Sequence, residues 1–155
     1  MFKKSTLLKL INFWPPYLGA GIRIKHISDD ITSIHVEMKL RRWNRNYVKT
    51  QFGGSLYAMT DPFFMLILMQ HLGKDYIVWD KAATIRFKKP GLGAVYAHFE
   101  IPAEKLQKIR DAANSSYKVE PTFTVNVVDK DGTVIAEVDK LLYVRRRDAK
   151  RDDSN

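Results

Sequence analysis

One carboxylate stands inside the most apolar stretch of the chain. Asp61 follows Leu56, Tyr57 and Met59 and precedes Pro62, Phe63, Phe64, Met65, Leu66, Ile67, Leu68 and Met69. A carboxylate in such surroundings can serve as a general base or a nucleophile, and burial raises its pKa unless hydrogen bonds offset it. It also has a purely structural reading, as an N-cap followed by proline at the first helical position. Upstream, Gly53-Gly54 let a carbonyl approach backbone N–H groups, which lack partners at a helix start; otherwise they only form a close turn. Asn46 and Thr50 can orient water or an acyl group through their donors and acceptors, or merely satisfy a turn. Arg86, Lys88 and Lys89 place cations on and just after a strand, as an anion site or a solvated face. Ser55 is no nucleophile elbow, since Gly-Gly-Ser-Leu lacks the G-x-S-x-G pattern. Metal-ligand spacing, phosphate-cradling glycine loops and dinucleotide fingerprints are absent from the sequence.

The segment that must position these groups runs from Phe52 to Leu72. It is apolar on nearly every side, the mark of a helix buried all round. Its uninterrupted apolar run, Pro62 to Met69, is far short of the roughly 20 residues a membrane span needs. The expectation is one long buried central helix. Pro62 either kinks it or divides it, leaving Gly53 to Thr60 as a separate turn or short helix.

The flanking segments alternate with period two, as half-buried antiparallel strands do. Ile22 and Ile24 form the first such run, then Ile34, Val36, Met38 and Leu40, with Asp29-Asp30 as the turn between them. Downstream come Ala83, Ile85 and Phe87, then Val95, Ala97, Phe99 and Ile101. Pro102 to Ala113 reads as a short helix with proline at its start. Phe123, Val125 and Val127 follow, then the turn Asp129 to Gly132 and a last strand from Val134 to Val144. Runs of strands about a helix, rather than repeated βαβ units, indicate an α+β fold with a mainly antiparallel sheet.

At 155 residues, 45% hydrophobic and 28% charged, the chain reads as one globular domain, residues 17–145. Residues 1–16 are expected to form an amphipathic helix docked on it: Phe2, Leu7, Leu10, Ile11 and Trp14 make a stripe that Pro15-Pro16 stops. Lys9 and Asn12 break the apolar core a signal peptide would need, so a cytoplasmic location is expected. Contact with a membrane surface through Lys3, Lys4 and Lys9 is the lesser reading of that helix. The net charge of +9 favours anionic partners, and part of it sits in residues 146–155, read as a flexible basic and polar tail. The chain has no cysteine, which removes disulfide and thiolate chemistry. Basic residues are not interleaved with aromatics along a strand, so no specific nucleic-acid partner is expected.

Four stretches together resemble the PaaI-like acyl-CoA thioesterases and their DUF4442 relatives. Asn46 to Gly54 (NYVKTQFGG) is similar to the family's Asn…Thr-x-His-Gly-Gly entry to the helix, and Leu56 to Asp61 to the helical stretch that ends in an acidic residue. Ala83 to Gly93 (ATIRFKKPGLG) resembles the strand ending in an aromatic, a basic residue, Pro and Gly. Val127 to Ala136 (VVDKDGTVIA) resembles the closing hairpin. The resemblance implies a hotdog fold, a curled antiparallel sheet wrapped around the central helix, and hydrolysis of an acyl thioester by a homodimer, with a tetramer as the next size. It implies Asp61, Gly54 and Asn46 in the chemistry, and Thr50, Phe52, Gly53, Ser55, Arg86, Lys88 and Lys89 in binding substrate, the last three at CoA phosphates. CoA enters only as part of the substrate, and neither metal nor other cofactor is implied. One departure stands out: Phe52 occupies the place of the family's histidine, and a phenyl ring forms no hydrogen bond of that kind. That favours the alternative, a non-catalytic hotdog protein that binds acyl-CoA or fatty acid or mediates assembly.

Overall fold

The computed structural model describes residues 8–150. Six strands form its framework: β1 (Ile22–Ile27), β2 (Ser33–Met38), β3 (Tyr76–Phe87), β4 (Val95–Glu100), β5 (Thr122–Asp129) and β6 (Val134–Arg146). They make one sheet in the order β1-β2-β4-β5-β6-β3, antiparallel throughout. The helices are α1 (Pro15–Ala20), α2 (Gly53–Ala58), α3 (Phe63–Leu72) and α4 (Ala103–Ser115), with a 3-10 turn at Lys9–Phe13.

Period-two alternation does what it implies: one face of each inner strand is sealed. Val36, Val95, Phe99, Val127, Val138, Leu142 and Val144 are buried there, and α3 lies against them through Phe63, Phe64, Ile67, Leu68 and Leu72. Aromatic rings lock this contact, with Phe63 4.9 Å from Phe99 and Phe64 stacked 4.6 Å from Phe123. The α+β expectation holds.

The single long central helix does not. It is two pieces, α2 and α3, separated at Thr60, Asp61 and Pro62, with a cis peptide between Asp61 and Pro62. Proline has no N–H to continue the helical ladder, and the Thr60 hydroxyl closes α2 by donating to the Tyr57 carbonyl at 2.7 Å. Nor is α3 buried all round. The sheet covers one side, while Met65 and Leu66 are half-buried and Met69 is exposed.

Two further differences have local causes. β3 begins at Tyr76, well before Ala83, because an irregularity between Asp80 and Ala82 breaks the period-two phase that reveals a strand. The 3-10 turn ends at Phe13, just before Pro15-Pro16, and the same prolines open α1, where a missing N–H costs nothing. Of the stripe expected to dock, Ile11 packs against the core, Leu10 and Trp14 are exposed, and Phe2 and Leu7 lie outside the described residues. Asn12 occupies the outer edge of β1, donating to the Ile24 carbonyl (3.2 Å) and accepting from its N–H (2.7 Å). At the other end β6 runs through Arg146. Arg147 then bonds the turn before β3 through its backbone N–H and its Nε, to the carbonyls of Asp75 and Lys74, each at 2.8 Å. No helix among the described residues is long and apolar enough to cross a membrane.

Candidate functional site

The loop before α2 is tied by the two polar side chains singled out in it. Asn46 donates through Nδ2 to the Thr50 hydroxyl at 2.8 Å and accepts the Thr50 N–H at 2.9 Å. Their backbones pair as well, with the Asn46 N–H on the Thr50 carbonyl at 2.9 Å. Much of their hydrogen-bonding capacity is thus used to build the turn. Gln51, buried beside them, pins the loop to the sheet through Nε2, to the carbonyls of Met38 (3.2 Å) and Gly93 (2.9 Å).

The loop delivers the chain to α2 with Phe52 at its cap and Gly53-Gly54 in the first turn. Both glycines are held by rings. A Cβ on Gly54 would stand 2.5 Å from the Phe52 ring, and one on Gly53 would stand 3.0 Å from that of Phe87. Their smallness has a packing reason as well as a chemical one. Phe52 and Phe87 are themselves exposed, so the helix start is open to solvent between two aromatic walls.

A groove of about 640 Å³ runs along this start. Five of the expected residues line it: Asn46, Thr50, Gly53, Lys88 and Lys89, with Leu56 and Phe87 as apolar wall. The N–H groups of Lys88 and Lys89 are both anchored on the Ile135 carbonyl, at 2.8 and 3.2 Å, which fixes the basic pair beside the groove. Phe52 and Gly54 adjoin it, and Ser55 is buried in α2. Arg86 is elsewhere. It donates through Nε to Glu137 at 3.0 Å and through its terminal nitrogen to Asp139, away from the groove lining.

Asp61 is elsewhere too, past the far end of α2. At 1.5 Å rise per residue, it stands roughly 10 Å from Gly54 along the chain. It is not an N-cap of α3, which has no side-chain cap. Its carboxylate instead meets Lys140, Nζ to Oδ1 at 3.4 Å, and its side chain is 47% exposed. Lys140 is only 1% exposed and makes a second ion pair, at 3.1 Å, with Asp80 of β3. The ammonium also faces the Tyr57 ring at 5.3 Å. Tyr17 of α1, fully buried, donates its hydroxyl to the Asp61 carbonyl.

Burial dominates the electrostatics of this cluster. It pushes the Asp80 carboxyl up to about 6, with the neighbouring Asp61 raising it and Lys140 holding it down. Burial pulls Lys140 the other way, but Asp80 and Asp61 outweigh it and the ammonium titrates above the usual lysine range. The Tyr17 hydroxyl is raised, first by burial and then by Asp61.

Sequence reading missed Lys140 and Asp80. The signal for Lys140 was present: it keeps phase with Val138, Leu142 and Val144, so it had to point into the core. Asp80 gave none, because the irregularity beside it hid the strand. On the opposite face, His35 stacks on His98 at 4.1 Å with His26 close by. Among the described residues no group of three or more His, Asp or Glu is placed to hold a metal ion.

A six-stranded antiparallel sheet packed over a helical segment makes this an α+β protein of hotdog-like fold. The sequence makes the assignment narrower. Residues 3–144 match the DUF4442 family, a domain of unknown function, and the chain belongs to it. Among curated proteins none matches it by sequence. Solved structures of the same fold include a Pseudomonas aeruginosa protein of unknown function described as a probable thioesterase. It is 18% identical, with 92% of this chain and 96% of that one covered and a TM-score of 0.80. A Chlorobaculum tepidum protein of unknown function is 16% identical, covering 92% and 94%, with a TM-score of 0.74. A Haemophilus influenzae thioesterase is 11% identical, covering 94% and 93%, with a TM-score of 0.67. At these identities the likeness is one of fold.

Proposed function

We propose that this protein hydrolyses acyl thioesters, with acyl-CoA as substrate, in a site assembled from two copies of the chain. The observation that carries the reading is the placement of Asp61. It is a half-open carboxylate at the helix break, fixed by a buried cation, in a fold shared with proteins described as thioesterases. In the reaction Asp61 takes a proton from water as the hydroxide oxygen bonds to the thioester carbon. The carbonyl oxygen gains the negative charge and accepts a hydrogen bond from the Gly54 N–H. Collapse breaks the C–S bond, and the leaving thiolate takes the proton back from Asp61, giving a carboxylic acid and a thiol.

These groups must lie within about 3 Å of the reacting atoms, whereas roughly 10 Å separates Gly54 from Asp61 in one chain. A homodimer resolves the mismatch if the helix start of one protomer faces Asp61 of the other. The sheet edges favour such a pairing. Asn12 blocks part of the β1 edge, while β3, twelve residues long, has a partner on one side only and exposes Trp79 and Phe87. An open edge of that length invites another strand. The uncovered side of α3 at Met65, Leu66 and Met69 gives a flexible apolar wall for an acyl chain. Lys89 suits the CoA phosphates; Lys88, which shares Glu137 at 4.0 Å, and Arg86, held by Glu137 and Asp139, suit them less.

Phe52 supports the second reading, a hotdog protein that binds acyl-CoA without turning it over, because an apolar ring lies beside Gly54 where a polar group would serve catalysis. A panel of acyl-CoAs of graded length, assayed with wild type and Asp61→Asn, separates the two. Turnover by wild type that falls about 10²–10⁴-fold in the variant, with melting little changed, is the expected result. No turnover, with acyl-CoA still raising the melting temperature, would establish the binding protein instead.

A further inference from the structure

Lysine is almost never fully enclosed unless it is paired, and a core-facing lysine needs a reason. Lys140 sits on the inner face of β6 among valines and leucines, and its side chain is 1% exposed. Its Nζ is 3.1 Å from Asp80 and 3.4 Å from Asp61, so one ammonium serves two carboxylates from two elements. We propose that Lys140 is a positioning residue that holds the Asp61 carboxylate for catalysis, and that Asp80, sharing the same ammonium, sets the acid limit of the reaction. This rests on the hydrolytic reading above.

The geometry favours this division of roles. Asp61 is half open to solvent and is engaged from beneath through Oδ1, so the carboxylate is fixed while its exposed side remains free to meet water. Asp80 is enclosed: both its carboxylate oxygens are shut off from solvent, and Oδ2 meets the Lys140 ammonium. The other polar groups facing the cluster are Tyr57 of α2, whose ring lies 5.3 Å from the ammonium, and Tyr17 of α1, whose hydroxyl bonds the Asp61 backbone. Neither tyrosine competes for the ammonium as a charge while it remains protonated.

With Asp80 ionised, the trio carries one net negative charge and Asp61 shares its counterion. When Asp80 takes a proton, the ammonium belongs to Asp61 alone and the trio becomes neutral. A carboxylate so neutralised is a poorer acceptor for the proton of water. Asp80 titrates at about 6, inside the range where enzymes are assayed, so the change is measurable.

The test is the pH dependence of kcat and KM from pH 5 to 9 for wild type, Asp80→Asn, Lys140→Met and Lys140→Arg. Circular dichroism confirms that each variant is folded. In wild type kcat falls as pH drops through about 6. Asp80→Asn, neutral and isosteric, lowers kcat at pH 7.5 by roughly tenfold, leaves KM alone and removes that inflection. Lys140→Met lowers kcat further, and Lys140→Arg recovers part of the loss because a guanidinium can again hold the Asp61 carboxylate in place. If Lys140→Met does not fold, Asp80→Asn decides alone. An Asp80→Asn enzyme with the wild-type profile would overturn the proposal while leaving the hydrolytic reading intact. A wild type inert toward every acyl-CoA would remove that reading, and the proposal with it.

Discussion

Asp80 makes a statement about stability that needs no substrate. Its carboxyl titrates at about 6 in the fold, against 3.8 ordinarily, so the native state holds this proton over a range in which the unfolded chain has released it. Stability from this group is therefore fully present below about pH 4 and is lost as pH rises through about 6. At 1.36 kcal/mol per pKa unit, the loss is up to about 3 kcal/mol. Urea unfolding at pH 4, 5, 6 and 7 is expected to show a decline in wild type that is absent in Asp80→Asn. A parallel decline in both proteins would mean that Asp80 ionises in the fold as it does in water. The residue scale is also where the sequence was least legible. Asp61, Gly53 and Gly54 declare themselves by chemistry that clashes with their surroundings. Lys140 is one of twenty-six basic residues in the chain, and only its phase on β6 marks it.

Among the elements, legibility followed periodicity. Five of the six strands, α4 and the last hairpin lie where alternation or a proline start put them, within a few residues. What failed depended on contacts the pattern does not record. The first half of β3 is disguised by its irregularity, and the N-terminal segment breaks into a 3-10 turn and α1 because Asn12 and Tyr17 find partners far along the chain. Tyr17 ties α1 to the helix break: its ring packs 6.1 Å from Phe63 and its hydroxyl satisfies the Asp61 carbonyl. Removing that hydroxyl leaves a part-buried carbonyl without its donor, at about 1–3 kcal/mol. Tyr17→Phe should lower stability by that amount in thermal or urea unfolding. It should also lower kcat, because the break that carries Asp61 is loosened. A variant as stable and as active as wild type would show that α1 merely covers the core.

For the whole molecule the decisive question is whether one chain or two make the site, and mixing variants answers it. In the proposed homodimer each site takes Gly54 from one protomer and Asp61 from the other. Asp61→Asn spoils both sites of its own dimer, and so does Gly54→Val, whose added bulk drives into the Phe52 ring. A mixed dimer is different. One of its sites collects both defects, and the other pairs the intact Gly54 of the first chain with the intact Asp61 of the second. Random re-association of equal amounts makes half of the dimers mixed, so about a quarter of wild-type activity should return. The recovery should appear only after the chains have exchanged, which unfolding and refolding the variants together, against separately, will reveal. If Gly54 and Asp61 instead worked within one chain, every chain in the mixture would carry one defect and no activity would return. Activity is thus a sharper measure here than size: a dimer seen in solution is compatible with either arrangement, whereas recovered turnover requires that the site be shared.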